Sequence, residues 1–295
     1  MTEGDLQAVV PDGDAAAVAA AGARRAGVMI RQLHDLSSMQ EVVDLFVDVW
    51  QTRGMDPPIN RDLLRALAHA GGYVAAAYVD DEVAGASVGL FAANGALHSH
   101  ISGVRAGLQG RSLGYALKLD QRAWCLNRGI GAITWTFDPL VRRNAWFNLS
   151  KLGATCEEYL PDFYGPLLDG VNAGDSSDRL FARWDLLCAR TLAATSGMSP
   201  ALDAELLRSA GACLLVENVD GRPVVQSPDV AAGSTLLVGT PIDAIDLRGR
   251  DLTLASSWRH AVRSALGPAI DDGYRVTGFT RSGYYVLTPT DGPNL

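Results

Sequence analysis

The strongest chemical signal in the sequence is the run Gln109-Gly110-Arg111-Ser112-Leu113-Gly114-Tyr115-Ala116. It follows an apolar segment of strand character and opens a segment of helical periodicity. The first amide N–H groups of such a helix find no acceptor within it. Together with the positive end of the helix dipole they bind anions, phosphate above all. Gly114 lets the main chain approach a ligand closely, Ala116 keeps the next turn small, and Arg111 adds a positive charge. A dinucleotide loop would need Gly-x-Gly-x-x-Gly in a parallel βαβ unit, with an acidic residue about twenty positions later. Neither that spacing nor the hairpins upstream fit it. The Gly-Lys-Ser/Thr ending of a Walker loop is missing as well.

Two further residue types can move protons. His98 and His100 are two positions apart on an expected strand and so share a face, and imidazole titrates near neutrality. Asp138 precedes Pro139 and either acts as a base or caps the helix that follows. Glu157 and Glu158 are weaker candidates. Both histidines also fit a purely structural role in or beside a core.

These residues must be positioned by a scaffold, and its elements can be traced from residue 28. A strand over 28–33 precedes a helix with apolar residues at Val42, Val43, Leu45, Phe46, Val49 and Trp50, a period near 3.6. A second helix covers 61–69. Strands at 73–79 and 83–91 are joined by Asp80-Asp81-Glu82, and the turn Asn94-Gly95 leads to a third strand at 96–104, giving an antiparallel meander. An amphipathic helix over 111–128, a strand over 132–137 and a helix over 143–151 closed by Gly153 follow. Strands near 156–159 and 181–186 flank the polar loop 169–178. The region 187–212 reads as broken helix. Beyond it come strands at 214–217 and 235–239, a turn at Asp220-Gly221, a helix over 252–266, and a closing pair at 274–280 and 284–287.

The fold class is α+β: a mixed, mostly antiparallel sheet flanked by helices, with an additional C-terminal α+β portion. The expected division is a flexible leader over 1–27, a main domain over 28–190, and an extension over 191–295 that contributes to the acceptor side. With 295 residues the chain can bury a sizeable core. Its net charge of -8 argues against nucleic acid and anionic membranes as partners. Asp12 and Asp14 stand where a secretory signal wants positive charge, and no apolar run is long enough to span a bilayer. Cys125, Cys156, Cys188 and Cys213 form no CxxC pair, which suits buried thiols in a reducing cytoplasm and suggests no metal site.

The loop at Arg111, Gly114 and Ala116 resembles the pyrophosphate loop of the GNAT acetyltransferase superfamily, whose pattern is Gln/Arg-x-x-Gly-x-Gly/Ala. The resemblance covers residues 28–190, and the tail only loosely. It implies the GNAT fold and an acyl-CoA, acetyl-CoA by default, held by Gln109, Gly110, Arg111, Ser112, Leu113, Gly114, Tyr115 and Ala116. It also implies a splayed strand whose amides take the pantetheine arm, with Ser102, Gly103 and Val104 nearest the thioester, and Asn144 and Asn148 available to the coenzyme. More narrowly, Trp135 to Leu140, Asn144 to Gly153, Phe163-Tyr164-Gly165 and Ser177-Asp178-Arg179-Leu180 are similar to a branch that includes amino-acid N-acyltransferases, N-succinyltransferases among them. Succinyl-CoA is therefore the alternative donor. Leu149 stands where many GNAT enzymes place a tyrosine that protonates the leaving thiolate.

The implied reaction is direct acyl transfer to the amine of a small molecule or amino acid within a ternary complex. His98, His100 or Asp138 takes the amine proton. An amino-acid carboxylate suits the bidentate fork of arginine, for which Arg143, Arg179 and Arg259 are candidates, with Arg142 and Arg263 beside them. Trp135 is a candidate for the acceptor pocket, alongside Trp146 and Trp184, although aromatic residues at such spacing also build cores. A homodimer stays open. Two other readings remain: a catalytically silent acyl-CoA sensor, which the missing tyrosine allows, and an acyl-CoA decarboxylase on the same scaffold.

Overall fold

Alanine is the strongest helix former, and the Ala-rich segment near the N-terminus is helix α1, Asp12–Ala26, with Arg24 and Arg25 in its last turn. The computed structural model describes residues 12–167, 169, 174–199, 201–231 and 233–290. The expectation of a flexible leader over 1–27 is therefore corrected for residues 12–26, while 1–11 lie outside the described residues. The helix is held because its small face packs: Ala15 and Ala19 are buried in a cluster with Leu119 and Ala123.

The chain divides into two compact units, residues 1–49 with 53–133 and residues 50–52 with 134–295. In the first, α1 is followed by β1 (Met29–Gln32), α2 (Leu36–Trp50) and α3 (Arg61–His69), then by the meander β2 (Tyr73–Val79), β3 (Glu82–Phe91) and β4 (Leu97–Val104), and by α4 (Leu113–Leu126). Strands β1 to β4 pair antiparallel in sequence order. Asp80 and Asp81 both have positive φ, 49° and 61°, as the tight β2–β3 hairpin turn requires. Every residue of β2 from Tyr73 to Tyr78 is buried, and α3 and α4 both pack against this strand.

The second unit contains β5 (Ala132–Phe137), the short helix α5 (Arg142–Ala145) and a π-helix (Trp146–Lys151). Then come β6 (Thr155–Leu160), β7 (Arg179–Asp185), α6 (Ala189–Thr195), α7 (Ala204–Ser209), β8 (Cys213–Val219), β9 (Arg222–Val225) and β10 (Leu236–Gly239). Helices α8 (Ala244–Arg250) and α9 (Leu252–Asp271) and strands β11 (Tyr274–Phe279) and β12 (Tyr284–Pro289) complete it. The strand order is β5-β7-β6-β11-β12-β10-β8-β9, and β10 runs parallel to β8 and antiparallel to β12. Asp251 caps α9 by accepting from the Leu254 N–H at 2.9 Å, and Trp258, Val262 and Leu266 bury one helical face against the sheet.

The expected boundary near residue 190 falls inside this unit. Strand β6 pairs with β11 at Cys156 and Val276, so segments on either side of 190 share one sheet. The architecture is α+β with a mostly antiparallel sheet and further C-terminal strands and helices.

Candidate functional site

Strand β4 hands the chain to α4 through the turn 105–112, where Gly107 and Gly110 both have φ of 84° and Ser112 is left-handed at 65°. Ser112 makes no side-chain cap, and its carbonyl receives the first helical bond, from the Ala116 N–H at 2.9 Å. The N–H groups of Leu113, Gly114 and Tyr115 therefore lie ahead of the first intrahelical bond, at the positive end of the helix. Gln109, Gly110, Arg111 and Ser112 are exposed, Gly114 and Tyr115 are half-buried, and Leu113 and Ala116 anchor the turn in the core. A Cβ on Gly114 would meet nothing closer than Val104 Cγ2 at 3.9 Å. The fold itself thus gives no reason for glycine there, although glycine costs a helix about 1 kcal/mol relative to alanine. An alanine methyl would fit there at ordinary van der Waals distance from Val104, so what glycine adds at this position is close approach of the main chain.

Strand β4 carries a β-bulge that local patterning does not announce. Gly89 pairs with Ser99 and Val88 with Ile101, which leaves His100 as the extra residue. Ser99 turns toward α4, where Lys118 Nζ donates to its Oγ at 2.8 Å, while His98 is half-buried and His100 exposed. Beyond the bulge Ser102 bonds Ser87 Oγ to Oγ at 2.6 Å, and Gln121 Nε2 of α4 reaches Ser87 at 3.4 Å. Gln121 Oε1 in turn accepts from Lys118 at 3.1 Å. Lys118 thus holds β4 directly before His100, and Gln121 holds it beyond His100 only through Ser87 of β3. Partial desolvation keeps both imidazoles below their usual pKa, less securely for His100, which is exposed, than for the half-buried His98, where the charges of His100 and Lys118 add to the effect. Lys118 is only 6% exposed, and burial pulls its pKa down to about 7. It stands beside Leu117 and Leu119, so a lysine on the buried arc of the helix was the available signal for this network.

In the second unit the structure reassigns several expected site residues. Asp138 is 7% exposed and accepts both nitrogens of the Arg259 fork, Nη1 at 2.7 Å and Nη2 at 3.1 Å, as well as Arg248 Nη2 and the Leu140 N–H at 2.9 Å. Burial alone would raise its pKa, but the Arg259 and Arg248 guanidiniums overcome this and hold it below the usual carboxylate range. A carboxylate so committed is a poor proton acceptor at neutral pH, which corrects its expected role as a base. Arg259 is 1% exposed and also donates to Asp175 at 2.7 Å. Its guanidinium is thus committed to two carboxylates of the protein itself. Trp135 is buried edge-to-face against Trp184, their centroids 6.3 Å apart, and builds the core.

Arg143 is exposed, Asn144 is half-buried and Asn148 is buried. Arg142 donates to Thr240, Arg263 to Asp178, and Arg281 lies over the Trp146 ring. Leu149 is 1% exposed on the π-helix and its carbonyl accepts from Arg190, so no acidic side chain stands at that position. Arg179 lies at the start of β7, donating Nη1 to the Asp178 carbonyl at 2.8 Å, with its guanidinium over the Tyr164 ring. Among the described residues there is no cluster of metal-ligating side chains and no helix long and apolar enough to cross a membrane.

Residues 16–138 match the family model described as "Acetyltransferase (GNAT) domain". Solved structures similar to the chain include an N-acetyltransferase from Staphylococcus aureus Mu50, at 13% identity and a TM-score of 0.45 over 54% of this chain and 98% of that one. A GNAT family acetyltransferase from Elizabethkingia anophelis with acetyl-CoA bound matches at 12% identity and a TM-score of 0.41, over 54% and 98% of the two chains. An IAA acetyltransferase from Bacillus cereus matches at 15% identity and a TM-score of 0.42, over 54% and 99%. No curated protein matches the chain in sequence.

Proposed function

We propose that this chain is an acyl-CoA-dependent N-acyltransferase that transfers an acetyl or succinyl group directly to the amine of a small molecule or amino acid. The observation that carries the reading is the start of α4. Three main-chain N–H groups lie ahead of the first helical bond, and the half-buried Gly114 among them carries no side chain to hold a diphosphate off. The family match over 16–138 spans this loop.

In this reading the amides of Leu113, Gly114 and Tyr115 hold the coenzyme's diphosphate, Arg111 adds charge, and Ser102, Gly103 and Val104 line the path of the pantetheine arm. His100 accepts the proton of the attacking amine, with His98 as its neighbour on β4. Because burial lowers both pKa values, each imidazole is neutral at pH 7 and able to accept. The amine nitrogen bonds to the thioester carbon, main-chain N–H groups of β4 stabilise the oxyanion, and the C–S bond then breaks. With Leu149 in the usual acid's place, the coenzyme leaves as thiolate, which a thiol pKa of about 8.5 allows. No covalent enzyme intermediate is required.

The test is release of free CoA, followed with a thiol reagent, when acetyl-CoA or succinyl-CoA is offered with a panel of amines and amino acids. Amine-dependent release supports the transferase. Tight CoA binding without release from any amine would leave a sensor, and thioester loss without an acceptor would leave a decarboxylase.

A further inference from the structure

Two motifs that the fold and the reaction above leave unexplained meet in the second unit. Phe163-Tyr164-Gly165 is locked onto Ser177-Asp178-Arg179: the Tyr164 N–H donates to Ser177 Oγ at 2.9 Å, the Phe163 N–H to the Ser177 carbonyl at 3.2 Å, and the Asp162 N–H to Asp178 Oδ1 at 3.0 Å. Asp162 returns the contact by accepting from the Ser177 N–H at 3.0 Å. The turn that carries Tyr164 is therefore rigidly placed over the start of β7. What it covers is Arg179, whose Cζ lies 5.2 Å from the ring centroid.

Arg179 is the odd charge of this region. Asp138 and Asp175 are shared by Arg248 and Arg259, and Asp178 is taken by Arg263, so three carboxylates answer three guanidiniums. Arg179 is a fourth, only 9% exposed, and among the described residues no carboxylate lies within ion-pair distance of it. Asp138 acts on it only through space, and a desolvated cation without a direct ion-pair partner is costly. Its Nη1 is used on the Asp178 carbonyl, while Nε and Nη2 have no hydrogen-bond acceptor among the described residues and form an edge that fits a carboxylate bidentately. The Tyr164 hydroxyl, 3.3 Å from Thr136 Oγ1, brings two further polar atoms to the same turn.

We infer that Arg179, Tyr164 and Thr136 form a binding site for the carboxylate of a small organic acid or amino acid. The ring covers one face of the guanidinium, the anion takes its free edge, and the hydroxyl pair, one of whose protons joins Tyr164 to Thr136, supplies one further donor. Assigning that carboxylate to the acceptor rests on the acyltransferase reading; the binding itself does not, and it is measured without any acyl-CoA.

The full chain is labelled with 3-fluorotyrosine, the Tyr164 resonance is identified by its loss in Tyr164→Phe, and acetate and succinate are titrated against acetamide and succinamide at constant chloride. The expected result is a saturable shift with the carboxylates and none with the amides. Arg179→Met weakens the carboxylate response by about tenfold or more, and Arg179→Lys recovers part of it. Because the substitution to methionine removes a buried charge whose desolvation outweighs the through-space attraction of Asp138, its melting temperature stays at or above that of the parent chain. An equal response to amides, or no saturable response in the folded parent chain, overturns the site whatever the activity proves to be. A large fall in melting temperature for Arg179→Met overturns it too, since Arg179 would then be a structural member of the ion-pair network.

Discussion

Lys118 Nζ lies 2.8 Å from Ser99 Oγ, so the residue just before the β4 bulge is held by a buried amine. Groups that act on this amine include Gln121 and Cys125 on α4 and His98 and Ser99 on β4. A lysine whose folded pKa falls to about 7 binds its proton less tightly than in the unfolded chain. The unfolded state then holds more protons from about pH 7 upward, and stability rises with pH in that range. The Cys125 thiol, pushed up to about 12, works in the opposite direction once pH passes its ordinary value of 9.0. Denaturant melts between pH 7 and 9 should show the parent chain gaining stability relative to Lys118→Met. In the same variant, imidazole NMR should show the His98 pKa rising, because a neighbouring positive charge has gone. A flat difference between the two chains across this range would mean that Lys118 is not charged and buried as described.

The histidines set the acid limb of the reaction. An imidazole must be neutral to accept the amine proton, and both pKa values lie below the ordinary 6.5, so activity should fall below that pH and reach a plateau above it. His100→Ala should lower kcat/KM by roughly 10²–10⁴-fold and abolish the limb, while His98→Ala costs less. The reverse order would assign the base to His98.

At the head of α4, Gly114→Ala separates folding from coenzyme binding. The new methyl group meets Val104 at an ordinary contact distance, so the helix gains up to about 1 kcal/mol and the melting temperature rises by a few degrees. CoA affinity, measured by calorimetry, should drop at the same time. Undiminished affinity in this more stable variant would remove the diphosphate from the start of α4.

Asp138→Asn tests the ion-pair network by leaving Arg248 and Arg259 short of a charge, a change expected to cost about 3–5 kcal/mol. Asp138 and Asp178 both have folded pKa values held below 3.8, by their arginine partners. Their stabilisation is complete above the unfolded carboxylate pKa and is lost as pH falls through the folded one. The gap between parent chain and variant should therefore narrow in acid. A gap independent of pH would point to packing rather than charge.

What could be read from the sequence was local. The expected strands 73–79 and 132–137 and the helix 61–69 coincide with β2, β5 and α3, because each is a short apolar or amphipathic run between clear turn residues. The glycine-rich turn ahead of α4 was legible because its glycines and its place between strand and helix are neighbours in the chain. The bulge was not, since Leu97 to Ser102 holds no Gly or Pro to betray an extra residue. Nor was the fate of Asp138, whose partner Arg259 is 121 positions away and looked equally suited to a substrate. The leader was misjudged for the converse reason: alanines suit a linker or a helix alike, and only Leu119 and Ala123 on α4 decide between them.

The pairing of β6 with β11, together with the clamp from Asp138 to Arg259, bears on how the molecule can be divided. Cleavage near residue 190 with loss of the downstream piece would expose the long edge of β6 and strand Asp138 in a cavity with no counter-charge. The amino-terminal fragment so produced would aggregate or be digested further. Limited proteolysis should consequently spare the stretch beyond residue 134 as a whole or consume it as a whole, since its early and late strands have no independent existence.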